Sequence, residues 1–140
     1  MRFFALERAL RQVRYVPGDA CEVGCFRGLS AYIAATAFRD MQKDLTFHIC
    51  DSFEGLSEPT AADAAQRDEP KVRIKARDYR CSETEVRAHV AEFDCFPFHK
   101  GWIPASFKKL ENERFCYTHI DVDTFFVKQP AGGGIAVKLA

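Results

Sequence analysis

The sequence predicts an α/β fold with a parallel sheet and flanking helices. Three observations carry this. Short apolar runs alternate with amphipathic or capped helical stretches in the order helix, strand, helix, strand, helix, strand, short helix, strand. Glycines follow the first strand candidate, where a βα unit turns. Acidic residues fall at the carboxyl ends of the strands, where open parallel sheets bind ligands.

The elements follow in order. Residues 1–15 read as an N-terminal helix, since Phe3, Phe4, Leu6, Leu10 and Val13 recur at helical spacing between arginines. Pro17-Gly18-Asp19 ends it in a turn. Ala20 to Val23 is a short strand running into Gly24 and Gly28, and Leu29 to Phe38 is an Ala-rich helix with Ser30 near its start. Leu45 to Cys50 is a second strand ending at Asp51. Residues 57–70 are polar and Ala-rich, bounded by Pro59 and Pro70, as in a surface loop. Ser82-Glu83-Thr84-Glu85 has the spacing of a capping box and opens a helix through Val86, Val90 and Phe93. Phe96 to Gly101 is a third strand, Pro104 to Leu110 a short helix, and Phe115 to Val122 a fourth, most apolar strand. There are no internal repeats.

Composition narrows the function classes. The 140 residues carry 20 basic and 20 acidic side chains, so the formal charge is zero and nothing suggests a nucleic-acid or anionic-membrane surface. No apolar run approaches the ~20 residues of a membrane helix, and the charged first helix is no secretory signal. A reducing, cytoplasmic location is expected. The six cysteines include no Cys-x-x-Cys pair, and Cys21, Cys50 and Cys116 sit inside apolar runs, so they are expected to be structural thiols.

Three strand ends hold the chemistry. At the first, Glu22-Val-Gly24-Cys-Phe-Arg-Gly28-Leu-Ser30 fits either an ordinary βα turn or a ligand-binding one, in which Glu22 holds a cation or a hydroxyl. The spacing is not the dinucleotide Gly-x-Gly-xx-Gly. At the second, Asp51-Ser52-Phe53-Glu54-Gly55-Leu56 places a carboxylate where it can grip ribose hydroxyls or cap a loop. The two ends together favour a nucleoside-bearing cofactor. At the third, alternation puts His119, Asp121 and Asp123 on one strand face. Two carboxylates there suit a cation such as Mg²⁺, a shared proton or a general base, or simply enter solvent.

These motifs, with Val16-Pro17-Gly18-Asp19 before them and Lys100-Gly101-Trp102-Ile103-Pro104 between the second and third, resemble the macrocin O-methyltransferase (TylF-like) family from about residue 13 to 125. The resemblance implies a Rossmann-like class I methyltransferase fold. It implies dependence on S-adenosylmethionine and Mg²⁺, with a small-molecule hydroxyl, of sugar or natural-product type, as acceptor. Residue by residue, it implies cofactor contacts from Glu22, Gly24, Gly28, Ser30, Asp51, Ser52 and Phe53. It makes Asp121 a metal ligand and Asp123 the base that deprotonates the acceptor.

After Asp123 the sequence departs from the family pattern. Thr124-Phe125-Phe126-Val127 lacks the Glu that follows the aromatic residue in the family. Residues 126–140 form a divergent Gly-rich tail without the Asp-Asp pair that completes the family's metal site. A full seven-stranded sheet needs roughly 170 residues, so the expectation is one partial domain over 1–140, incomplete at its C-terminus. Two outcomes stay open for activity: an O-methyltransferase, or an inactive cofactor-binding remnant. The glycine turn and Asp51 alone also permit a nicotinamide oxidoreductase, against the glycine spacing. An uncovered fourth-strand edge would invite self-association.

Overall fold

The structure, a computed structural model, describes residues 2–57 and 76–122. Most of the expected 57–70 loop, Asp123 and the 126–140 tail lie outside the described residues.

The elements run α1 (Arg2–Gln12), β1 (Asp19–Val23), α2 (Leu29–Asp40), β2 (Phe47–Asp51), α3 (Glu83–His89), β3 (Phe98–Lys100), a 3₁₀ helix (Ala105–Leu110) and β4 (Phe115–Ile120). Their order is the one expected, and the boundaries move by a few residues. The first helix stops at Gln12, three residues short of the expected 15. The third strand shortens to three residues because Phe96 and Pro97 lie outside the ladder. Residues 105–110 wind as a 3₁₀ rather than an α helix. The α3 capping box is present: Ser82 accepts from the Glu85 N–H, and the Glu85 carboxylate accepts from the Ser82 N–H. The Ser82 hydroxyl and the Ser82 N–H, both donating to the Glu85 carboxylate, hold it below its usual range. The helix ends earlier than expected, with Val90 as its C-cap and Phe93 in the turn beyond.

All pairings are parallel, in the order β3-β2-β1-β4. The chain therefore steps outward from β1 through β2 to β3, then jumps back to the other side of β1. Right-handed crossovers put helices on opposite faces when the direction reverses, and the cores divide accordingly. On one face, Ala20, Phe47 and Ile49 pack with Leu10 of α1, with Ala31, Ala34, Ala35 and Phe38 of α2, and with Val86 of α3. On the other, Cys21, Val23 and Cys50 pack with Ile103, Phe107 and Leu110 around the 3₁₀ helix. β1 is thus central and buried on both faces, and the point where strand order reverses lies between β1 and β4.

Two glycines set the geometry there. Gly24 has φ +83°, and a Cβ on it would overlap the Asp121 carbonyl oxygen, so β1 and β4 come this close only with glycine. Gly28 has φ +79° and caps α2, with the Val86 and Val90 methyls of the α3 segment 3.1 and 3.5 Å from where its Cβ would be. All six cysteines are free, four of them buried, in line with structural thiols.

The two glycines should differ in cost. Gly24→Ala meets fixed backbone and should lose about 2–4 kcal/mol, from left-handed strain plus overlap. Gly28→Ala meets side-chain methyls that can shift, and should lose only about 1–2 kcal/mol. Urea unfolding of both variants checks the order, and equal losses would show that the β1–β4 approach is not rigid.

Candidate functional site

The carboxyl ends of β1, β2 and β4 are tied together by hydrogen bonds that cross between them. The Gly24 N–H donates to the Cys50 carbonyl at 3.0 Å, and the Asp121 N–H donates to the Val23 carbonyl at 2.9 Å. Asp51 adds a side-chain clamp. One carboxylate oxygen accepts the Cys25 N–H at 2.8 Å and the other accepts the Phe53 N–H at 2.7 Å. The residue expected to grip a ligand thus also holds the β1–α2 turn and its own loop in place. Each of its oxygens keeps acceptor capacity for a second hydrogen bond.

Glu22 is the most unusual residue of the site. It is fully buried at the centre of the sheet. One of its oxygens is 2.8 Å from His119 Nδ1, directly across from it on β4. The other, Oε2, is buried with no hydrogen-bond partner among the described residues. A buried carboxylate oxygen is normally hydrogen-bonded, so this one is a site for a donor or a cation. The negative charge is felt nearby. Burial first, then the charges of Asp51 and Glu22, push the Cys25 thiol well above its ordinary range. Burial and Glu22 likewise raise Tyr117. Cys25 therefore stays a thiol and is no nucleophile.

The other expected cofactor residues have mixed placements. Ser52 shapes its loop: its hydroxyl donates to the Gly55 carbonyl and accepts the Glu54 N–H. Phe53 sits at φ +58° with its ring buried in the core, tilted against Phe98 at 6.0 Å. Ser30 lies in the first turn of α2, whose N-cap is Gly28 with no side-chain cap. Beside this loop a cleft of about 270 Å³ opens between Phe53, Glu54, Arg77, Arg80, Ser82, Glu83 and Lys100. Ligand sites usually reach ~300–1,000 Å³, so this cleft alone falls just below the usual size.

The implied magnesium site is only partly in view. Asp121 follows β4, and Asp123 lies outside the described residues. Among the described residues Asp121 joins no group of three side chains able to hold a metal. The described residues therefore do not by themselves make a Mg²⁺ site, and no chemical step is derived through that ion.

Of the residues the sequence singled out, Glu22, Gly24, Asp51 and Asp121 lie at the carboxyl ends of β1, β2 and β4, and Gly28 lies at the start of α2. The sequence did not point to the pairing of Glu22 with His119. The signal for it is a titratable residue inside each of two largely apolar strands.

A parallel sheet of order 3-2-1-4, with Glu22 next to the end of its first strand and Asp51 ending its second, is a Rossmann-like α/β fold. Two solved structures share it. The O-methyltransferase NovP superposes with a TM-score of 0.67 at 23% identity, over 86% of this chain and 52% of NovP. The calicheamicin methyltransferase CalS11 superposes with a TM-score of 0.66 at 15% identity, over 89% of this chain and 54% of CalS11. The chain spans about half the length of these neighbours. No curated protein sequence matches it. Residues 1–131 match the macrocin O-methyltransferase (TylF) family, and the chain belongs to that family. No helix among the described residues is long and apolar enough to cross a membrane.

Removing one partner of a buried pair leaves the other uncompensated. His119→Ala should cost about 2–4 kcal/mol, somewhat under the usual range because His119 is partly exposed. Adding Glu22→Gln should recover part of that loss, giving a measurable coupling in a double-mutant cycle. Strict additivity in thermal or urea melts would mean the two side chains do not interact.

Proposed function

We propose that this chain binds S-adenosylmethionine at the carboxyl ends of β1 and β2 and serves methyl transfer to a hydroxyl of a small molecule. The carrying observation is the buried Glu22 oxygen without a partner, set at the strand-order reversal of a chain in the TylF family. That oxygen suits the cationic, methionine-derived end of such a cofactor. Asp51 suits its ribose, since each carboxylate oxygen can accept one hydroxyl beyond its backbone N–H. When bound, the cofactor supplies a methyl group activated by a sulfonium.

The chain's own residues then bind and orient. Gly24 and Gly28 fix the turn that would face the ligand, and Asp51 keeps that turn from opening. The apolar packing under Phe53 holds the loop that carries Asp51. The family resemblance supports Asp123 as the base that takes the acceptor's hydroxyl proton and Asp121 as a metal ligand beside it. Holding the acceptor oxygen in line with the methyl carbon is the main catalytic contribution expected of such a site. A sugar hydroxyl of the natural-product type is the acceptor class that the family resemblance suggests. A second reading is binding without turnover, supported by the departure of residues 126–140 from the family's sequence pattern.

Titration of the purified chain with labelled S-adenosylmethionine, with and without Mg²⁺, tests the proposal. Saturable binding is expected. Asp51→Ala should weaken it about 10–100-fold, the equivalent of one charged hydrogen bond, while circular dichroism shows the variant folded. Failure of the wild-type chain to bind would overturn the reading. Binding with no methyl released to hydroxyl acceptors would establish the second.

A further inference from the structure

We propose a second metal site, at the opposite end of the sheet from the cofactor end, built from Asp19, His48 and Glu113 and suited to a borderline cation such as Zn²⁺. Asp19 opens β1, His48 is the second residue of β2, and Glu113 immediately precedes the β4 approach. One ligand atom from each lies within 4.8 Å of the others. His48 Nε2 and Asp19 Oδ2 are 3.7 Å apart. Tetrahedral zinc with ligands at ~2.0–2.1 Å separates its donors by about 3.4 Å. That pair is therefore already near the required spacing. The third donor is on the exposed Glu113, whose side chain can swing in.

A cluster of polar groups at a sheet end is common without any ion. What singles this one out is His48. Its side chain is only 8% exposed, and its Nε2 is buried without a hydrogen-bond partner among the described residues. At 3.7 Å, Asp19 is too far to be that partner. The other ring nitrogen, Nδ1, is 2.9 Å from His99 Nε2, and the two rings stack at 5.2 Å. With His48 Nδ1 as the donor of this pair, the ring's lone pair lies on Nε2, on the side of Asp19. Metal-binding histidines are oriented in this way, with the outer nitrogen donating to a fixed acceptor. Phe115 edges the His48 ring at 5.7 Å and limits its rotation. The backbone also positions Asp19, whose other oxygen accepts the Thr46 N–H at 2.9 Å.

The donor set indicates which ion. One imidazole with two carboxylates favours Zn²⁺ and its neighbours over Mg²⁺, which prefers oxygen and water. With three protein ligands and room for water, the ion would bridge β1, β2 and the segment before β4, and would act as a clamp rather than in methyl transfer.

The test uses the full chain with Zn²⁺ and Co²⁺ as probes, and Mg²⁺ in excess throughout. One Zn²⁺ should bind per chain and raise the melting temperature. The Co²⁺ form should lack a thiolate charge-transfer band, since the six cysteines are not ligands. Glu113→Gln, at an exposed position that should leave the fold intact, should weaken Zn²⁺ binding at least ~10-fold. His99→Phe, which removes the acceptor that orients His48, should weaken it by about 10–100-fold. No Zn²⁺ binding, a thiolate band, full competition by Mg²⁺, or an affinity unchanged in both Glu113→Gln and Asp19→Asn would each overturn the proposal.

Discussion

The burial of the Glu22 carboxylate constrains this fold more than any other single interaction. Taking a charge out of water costs several kcal/mol unless a partner compensates it. Glu22 sits in the central strand with neighbours on both sides, so its partner must come from an adjacent strand. His119 supplies it, and only one register allows this. β1 and β4 begin paired at Asp19–Phe115, and a shift between Asp19 and Ala20 then brings Ala20 opposite Tyr117. Had the register run on without that shift, Glu22 would face Thr118. His119 would then point to the other face. The irregularity at Cys116 therefore places the histidine. The same shift brings Gly24 against Asp121, so the partner of the buried charge and the close approach of the strand ends are set together.

This dependence explains a division of labour between the two ends of the sheet. The carboxyl end is assembled from turns: Gly24, Gly28, the Asp51 clamp and the φ +58° kink at Phe53. These are conformations that a ligand-binding rim uses, and they are stabilised by hydrogen bonds together with the buried Phe53 ring. The amino end is assembled from packing, with His48 held between His99 and Phe115. Strain at one end is tolerable because the opposite end and the two cores are well determined.

The local parts of this arrangement were legible in the sequence. Glycines after an apolar run, an Asp ending the next one, and Ser-x-x-Glu before a helix each act within a few residues, and each appears where its chemistry requires. The capping box is the clearest case, since both of its hydrogen bonds are made by residues three apart. What the sequence hid was non-local. Glu22 and His119 are 97 residues apart, and their pairing depends on a register shift that no pattern in either strand announces. His48 reads as one polar residue in an apolar strand, and only the order β3-β2-β1-β4 brings His99 to one side of it and Asp19 to the other. The role of Asp51 was half legible. Its position at a strand end was evident, but its use as a backbone clamp depends on where Cys25 lands in three dimensions.

The electrostatics of the carboxyl end bear on which cofactor class fits. Glu22 and Asp51 lie close enough for both charges to act on the Cys25 thiol. A dinucleotide would bring a pyrophosphate of about two negative charges to the same turn. Repulsion between like charges at such distances is large where burial lowers the effective dielectric. Dinucleotide sites answer this with closely spaced glycines and bare helix N–H groups facing the phosphates, whereas here the Cys25 N–H is already taken by Asp51. A sulfonium and an ammonium meet the opposite field. They are attracted by the carboxylates, and a donor among them can satisfy the buried Glu22 oxygen that the protein leaves without a partner. Two features that look like costs in the free chain, an unpartnered buried oxygen and crowded negative charge, thus become favourable with a cationic ligand and worse with an anionic one. The charge pattern disfavours the nicotinamide alternative that the glycine turn and Asp51 alone permit, and it does so independently of the family match.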